Sequence, residues 1–498
     1  MDIDVKLKRL PYLFAKKQGV VAAEIEAGTA TLLYHLPNIP LQTIAEVKRV
    51  LQCELHLKEV NPTEFQQHLA QFYQSQSTIL DATESMEEDL DLMKLAGQLP
   101  SSEDLLDTQD DAPIIRLINA LFTQAIKQKA SDIHIETYED RVLVRNRLDG
   151  VLQEVLEIQR AIAPLVISRV KVMAKLDIAE KRIPQDGRIA LRIGGHNIDV
   201  RVSTLPSNHG ERIVLRILDQ QAAQLDLGLL GMPGDTLRII RNMIAQPHGI
   251  LLVTGPTGSG KTTSLYAMLT ELNQVSRNIL TIEDPVEYDL PGIGQTQVNT
   301  KVQMTFAKGL RAILRQDPDV VMIGEIRDLE TADIAVQASL TGHLVLSTLH
   351  TNSALGALTR LHDMGVESFL LSSSIVGVLA QRLVRELCDH CKIPHHAKDD
   401  ECELMGVNLD QSDRPTIFEP DGCEHCNYLG YRGRTGIYEL IPIDETLRSM
   451  IHRNESLQVM EAHLRPRTPS IREDGFKRVL LGDTSLAEIL RVTSAVSS

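Results

Sequence analysis

Residues 250–263 read ILLVTGPTGSGKTT. An unbroken apolar run ends in three closely spaced glycines, and a lysine with two threonines opens a second apolar segment. A short apolar run closed by glycine suits a buried strand, and the spacing after Lys261 suits a helix. The order strand, glycine loop, helix with the pattern G-x-x-x-x-G-K-[ST] has a physical purpose. Glycine lets backbone N–H groups turn inward around phosphate oxygens, and the helix N-terminus adds its dipole. The candidate nucleotide-binding residues are therefore Gly255, Pro256, Thr257, Gly258, Ser259, Gly260, Lys261, Thr262 and Thr263. Lys261 is expected to reach the β- and γ-phosphates of ATP, and the Thr262 hydroxyl to ligate magnesium.

Hydrolysis needs acids as well, to manage magnesium and orient water. Two downstream runs end in them: NILTIED at 278–284, followed by Pro285, Val286 and Glu287, and DVVMIGE at 319–325. With GHLVLST at 342–348 they alternate with helical patterns, which implies a mainly parallel sheet. Ligands of such sheets sit at the carboxyl ends of the strands, where these acids fall. Glu325 is assigned to magnesium through water or to the catalytic water, and Glu283 and Glu287 to polarising that water. Taken singly, each has a helix cap or loop acid as its lesser alternative, and for the three together that alternative is weaker still.

His343 opens the next strand and His350 closes it; either could sense a γ-phosphate, and either could simply bond to backbone. Arg201 and Arg216 sit within the strand patterns IDVRV and IVLRIL, where a guanidinium needs an anionic partner, phosphate or structural carboxylate. Arg311 and Arg315 are four apart and expected on one helix face; with Arg327 they flank the DVVMIGE strand, pointing either to solvent or to a neighbouring subunit. Farther on, Cys388-x-x-Cys391 and Cys423-x-x-Cys426 form two knuckles. Four thiolates suit a closed, tetrahedral, structural zinc site. A redox pair is the competing reading, and His390, His395 or His425 could replace a cysteine.

The 498 residues carry a formal charge of -16, 43% hydrophobic residues, 3% aromatics and no tryptophan. That is a soluble multidomain composition, poor in the basic surface and stacking platforms of a nucleic-acid binder. No run is long and apolar enough to span a bilayer; the most apolar stretch, 369–380, reads as a buried helix. The expected location is the cytoplasm. Residues 1–80 read as a small αβ domain, 81–111 as an acidic linker, 112–225 as an α+β domain and 226–385 as the phosphate-binding α/β core. The cysteine region covers 386–430, and short amphipathic helices follow over 431–498.

Together GPTGSGKTT, TIEDPVEY, DPDVVMIGEIRD and TGHLVLSTLHTN resemble the Walker A, Asp, Walker B and His boxes of the secretion and type IV pilus ATPases. SDIHIE, RNRLDG, PQDGRI and DVRVSTLPSNHGERIVLRIL extend the resemblance upstream, and GYRGRTGIYE extends it downstream. The paired knuckles resemble assembly-type members, above all the type II secretion ATPases, with type IV pilus extension motors the next choice. The resemblance implies a RecA-type ATPase domain preceded by a PAS-like α+β domain, with a small N-terminal αβ domain and a zinc-binding insertion. ATP would lie between the PAS-like and RecA-type domains, with Arg201 and Arg216 reaching its phosphates. Arg311, Arg315, Arg327 and Arg432 would be functional arginines. The resemblance also implies a homo-hexamer, peripheral on the inner membrane. Residues 1–80 would dock onto the cytoplasmic domain of an inner-membrane secretion protein, and the ring would work on an assembly platform protein that adds pseudopilin subunits. Two other classes stay open: a RecA-type nucleic-acid translocase, and a nucleotide switch without sustained turnover.

Overall fold

The computed structural model describes residues 112–494 except 194–195, 220–224 and 408–413, and the short pieces 19–26, 29–34, 43–44, 47–48, 54–61 and 64–65 before them. The acidic stretch 81–111 and Cys53 lie outside the described residues. Two compact units divide the chain, residues 1–123 with 189–198, and residues 124–188 with 199–498.

In the first unit, β1 (Val20–Glu26) and β2 (Thr29–Tyr34) are antiparallel, and β3 (Glu54–Glu59) runs parallel to β2. Val20 and Leu32 are fully buried.

The α+β region opens with a helix, Ala112–Lys127, and continues through β4 (Asp132–Thr137), β5 (Arg141–Leu148), β6 (Val151–Gln159), β7 (Gln185–Ile193), β8 (His196–Ser207) and β9 (Gly210–Asp219). The sheet order is β6-β5-β4-β9-β8-β7, with antiparallel ladders joining β6, β5, β4 and β9.

The largest sheet among the described residues is seven-stranded, of order β12-β11-β13-β14-β10-β15-β18. Its strands are β10 (Gly249–Thr254), β11 (Ile279–Glu283), β12 (Gly294–Gln297), β13 (Val320–Ile323), β14 (Leu344–Leu349), β15 (Ile375–Leu387) and β18 (Tyr431–Pro442), while β16 (Ile393–His396) and β17 (Thr416–Glu419) form a separate two-stranded antiparallel sheet. The first six strands are parallel to their neighbours; only β18 runs antiparallel, against β15. Every residue of β10, β13 and β14 is buried. Successive side chains of a strand point to opposite faces, so one stretch feeds two cores. Ile250, Leu252, Val321 and Val345 pack on the face covered by helices Leu329–Leu340 and Ala354–Asp363. Leu251, Val253, Met322 and Leu346 pack on the other face, with helices Lys261–Leu272 and Gly234–Ile244. Apolar residues at consecutive positions are what a sheet covered on both sides demands.

Three local expectations change. Residues 369–380 are not one helix: a helix, Ser368–Ser374, gives way to β15, because the β-branched Ile375, Val376 and Val378 fit the open edge of β10. Residues 431–442, expected to lead into helices, are instead the long edge strand β18. The helix carrying Arg311 stops at Ile313, so Arg315 lies in the following turn and the two do not share a helical face. Among the described residues, no helix is long and apolar enough to cross a membrane.

Candidate active site

The loop after β10 has the conformation that its glycines allow. Gly255, Gly258 and Gly260 have φ of +149°, +80° and +83°, a region that side chains with a Cβ avoid. Gly260 is the N-cap of the helix that begins at Lys261. The Lys261 ammonium curls back over the loop and donates to the carbonyls of Gly255 at 2.8 Å and Pro256 at 3.0 Å. It is 8% exposed. Burial lowers its pKa to about 8, against the opposing pull of the Glu325 carboxylate. The hydroxyl of Ser259 is buried without a hydrogen-bond partner among the described residues. A poorly solvated cation and an orphaned hydroxyl beside a glycine loop are the donor set that phosphate oxygens satisfy.

The carboxyl ends of β11, β13 and β14 lie at the same sheet edge as this loop, since all run parallel to β10 or to one another. Glu325 follows β13 by two residues. Thr348 Oγ1 donates to Gly324 O at 2.6 Å and the Ile326 amide to Thr348 O at 3.1 Å, which seats the Glu325 backbone against β14. The Glu325 carboxylate pairs with Arg327 and lies 3.4 Å from His350 Nε2. Arg327 also approaches Asp284, at 3.9 Å. Burial, then the Lys261 charge, holds His350 below its ordinary pKa despite Glu325. Lys261, Glu325, Arg327 and His350 thus form one charge-coupled group.

Glu283 stands apart from that group. It is 3% exposed and accepts from Tyr266 OH, from Thr281 Oγ1 at 2.6 Å and from Gln295 Nε2 at 3.1 Å. Tyr266 lies in the helix that Lys261 opens, so the carboxylate clamps that helix to β11. Burial, reinforced by Glu283, pushes the Tyr266 phenol far up. Glu287 pairs with Arg201 at 2.8 Å, and Arg201 also donates to Val286 O at 3.2 Å. The amide of Glu287 donates to Tyr266 OH at 3.2 Å. The remaining candidates are scattered. Arg216 donates to Asp132 at 3.0 Å, a structural carboxylate. Arg311 pairs with Glu330 at 2.6 Å on the surface, Arg315 is exposed, and Arg432 is exposed on β18. His343 sits at the amino end of β14, held by Ala338 O at 2.9 Å, while the glycine loop is at the carboxyl edge. A six-residue strand separates the two edges by about 17–20 Å.

Sequence reasoning missed Tyr266, Thr281 and Gln295. Tyr266 did leave a signal, because a tyrosine in a helix buried on all sides needs a partner for its hydroxyl.

The second constellation lies beyond β15. The sulfurs of Cys388, Cys391, Cys423 and Cys426 all fall within 4.8 Å of one another. Three of the separations, Cys388–Cys423, Cys391–Cys426 and Cys423–Cys426, are 3.8 Å. That is too long for a disulfide, and it matches the edge of a tetrahedron with metal–sulfur bonds of about 2.3 Å, whose edge is about 3.8 Å. Burial raises the Cys426 thiol, but hydrogen bonds from the Cys423 and Gly430 amides, each 3.2 Å, help bring it down to about 7. His390 and His425 stack on each other at 4.1 Å and are not part of the sulfur cluster; His395 faces Glu401.

Residues 107–491 match the family model described as type II/IV secretion system protein, and residues 9–73 match a domain model of GSPII protein E. Type II secretion system protein E of Pseudomonas aeruginosa is 59% identical over 487 residues, covering 98% of this chain and 96% of that protein. Type II secretion system ATPase E of Vibrio cholerae is 56% identical over 491 residues, covering 98% and 97%. Among solved structures, the Legionella pneumophila ATPase DotB matches 76% of the chain and 96% of its own with a TM-score of 0.57 at 22% identity, a likeness of fold. The ADP-bound pilus retraction motor PilT matches 75% and 95% with a TM-score of 0.51 at 26% identity. With a RecA-type core and near-complete coverage of these relatives, the chain belongs to the type II secretion system protein E family.

Proposed function

We propose that the chain hydrolyses ATP to drive pseudopilus assembly and protein export by type II secretion. The observation that carries this reading is Glu325, placed at a strand end where its charge acts on the loop lysine Lys261. In the proposed chemistry, Lys261 and the amides of residues 255–263 bind the β- and γ-phosphates. Magnesium would be held by the Thr262 hydroxyl, with Glu325 acting through water, and supplies charge neutralisation at the phosphates. Glu325 orients the attacking water, and Glu287 would help polarise it once Arg201 has left it. Glu283, all of whose visible bonds are to neighbouring side chains, keeps the Lys261 helix in place. Arg201 exchanges its bond to Glu287 for phosphate, joined by Arg216. Arg327 and His350 read the γ-phosphate through Glu325, and Arg311, Arg315 and Arg432 serve subunit contacts. His343, at the far sheet edge, would meet nucleotide only across a subunit boundary.

The proposed division of labour is docking by residues 1–80, a linker over 81–111, a PAS-like domain over 112–225, the ATPase core over 226–385, a four-cysteine zinc subdomain over 386–430 and a C-terminal subdomain over 431–498 that lends β18 to the core sheet. A homo-hexamer would work in the cytoplasm, held at the inner membrane by the cytoplasmic domain of a secretion protein and acting on the assembly platform. The test measures steady-state phosphate release, oligomer mass and flotation with vesicles carrying that cytoplasmic domain. Sustained release, a six-subunit mass and flotation that is lost on deleting residues 1–80 are expected. Absence of sustained release in every condition rejects the motor reading, and retained flotation of the truncated chain rejects the docking role.

A further inference from the structure

The phosphate loop is braced from the side by a residue that belongs to none of the four boxes. Thr254 is paired in register with Ala380 of β15, which sets Gln381 abreast of Gly255. Gln381 is 3% exposed. Its backbone carbonyl comes so close that a Cβ on Gly255 would lie 2.4 Å from it, and its side-chain nitrogen would lie 2.8 Å from a Cβ on Gly260. The side-chain oxygen accepts from Ser264 Oγ at 2.7 Å, and Ser264 is fully buried in the first turn of the helix. One side chain therefore touches the last loop glycine and the helix start, while its own backbone closes on the first loop glycine. Gln381 is itself held in register against Tyr438 of β18, whose hydroxyl donates to Leu230 O at 2.7 Å.

We propose that Gln381 is a positioning residue for nucleotide binding, a reading that rests on the ATPase function above. A six-residue loop with three glycines has many conformations, and ordering each residue costs about 1–2 kcal/mol. The Gln381 amide and the Ser264 hydroxyl remove part of that freedom before nucleotide arrives. Without them the loop must order on binding, so nucleotide affinity falls while the chemistry at Glu325 changes little.

The experiment compares the full-length wild type, Gln381→Met, Ser264→Ala and the double variant. Methionine keeps the length of glutamine and removes the hydrogen bond. The readouts are phosphate release against ATP concentration, titration with a fluorescent ADP analogue, and thermal denaturation. Gln381→Met should raise KM and the ADP dissociation constant about tenfold, or 1.4 kcal/mol, with kcat within about twofold. Ser264→Ala should do the same, and the double variant should add little, because both remove one interaction. A residue that only fills the core would lower the denaturation temperature and leave KM and ADP affinity within twofold, and that result overturns the proposal. If Gln381→Met does not fold, Ser264→Ala decides by the same criterion. If the wild type binds ADP but shows no turnover, the ATPase reading has failed, and the ADP titrations still test the brace.

Discussion

Replacing Lys261 with methionine should abolish nucleotide binding and at the same time stabilise the nucleotide-free protein. The ammonium is nearly buried, and its pKa falls from 10.5 to about 8, chiefly through burial. At 1.36 kcal/mol per pH unit, that depression corresponds to roughly 3 kcal/mol of folding free energy lost at neutral pH. Methionine keeps the stem and removes that desolvation cost. It also removes the charged donor to the carbonyls of Gly255 and Pro256, which costs about 1.5 kcal/mol at the low end for a hydrogen bond to a charged group. A net gain of about 1–2 kcal/mol remains. The pH dependence carries a definite sign. Below pH 8 the lysine is protonated in both folded and unfolded chains, so the full cost is present. Between 8 and 10.5 the folded chain gives up its proton while the unfolded chain keeps it, and wild-type stability rises with pH. The advantage of Lys261→Met should therefore be largest near neutral pH and shrink progressively above about pH 8. Urea denaturation without nucleotide at about pH 7 and about pH 9.5 measures it. A variant no more stable than wild type at neutral pH, or a gap that does not change with pH, refutes the view that the phosphate loop stores an unsatisfied charge. Stability given up to hold a functional charge in place is a common trade in active sites.

Glu325→Gln should slow steady-state phosphate release by about 10²–10⁴, the range for a positioned acid–base group, while fluorescent ADP binds within a few-fold of wild type; release within tenfold of wild type removes Glu325 from the chemistry. Tyr266→Phe deletes the hydroxyl that bonds buried Glu283 and should destabilise the core by about 1.5–3 kcal/mol, typical of a hydrogen bond to a charged group; a denaturation shift below about 0.5 kcal/mol would show the clamp to be idle. Cys388→Ser should lower bound zinc from one atom per chain to none by elemental analysis and reduce thermal stability, and unchanged zinc would reject the four-thiolate site.

A glycine loop between strand and helix is a narrow sequence solution, which is why β10, the turn through Gly255, Gly258 and Gly260 and the helix start at Lys261 were legible in the sequence. Few arrangements other than a glycine loop between strand and helix present several N–H groups to one anion. The cysteine knuckles were legible for a similar reason, since metal geometry restricts ligand spacing. What stayed hidden was set by distant partners. Residues 431–442 begin with YRGRTG, a poor strand on local grounds, yet they pair along β15, whose cysteine-bearing end is separated from them by the whole knuckle region. The run 369–380 satisfies helix and strand alike until the vacant edge of β10 decides between them. Arg201 and Arg216 each needed an anion; Arg216 meets Asp132 only when β9 is laid beside β4, and Arg201 meets Glu287 only when the loop after β11 reaches β8 of the other sheet. The case of His343 is different, because it could have been reasoned out. If GHLVLST lies parallel to ILLVTG, the residue that opens it must lie at the edge away from the phosphate loop, and only His350 can share the loop's edge. A motif table treats the two histidines alike, whereas strand direction separates them. Any role for His343 in nucleotide chemistry therefore has to run through a second subunit, and His343→Ala should leave the ADP affinity of the isolated chain unchanged while His350→Ala alters it. Equal effects of the two substitutions on ADP binding would show that this directional argument does not hold.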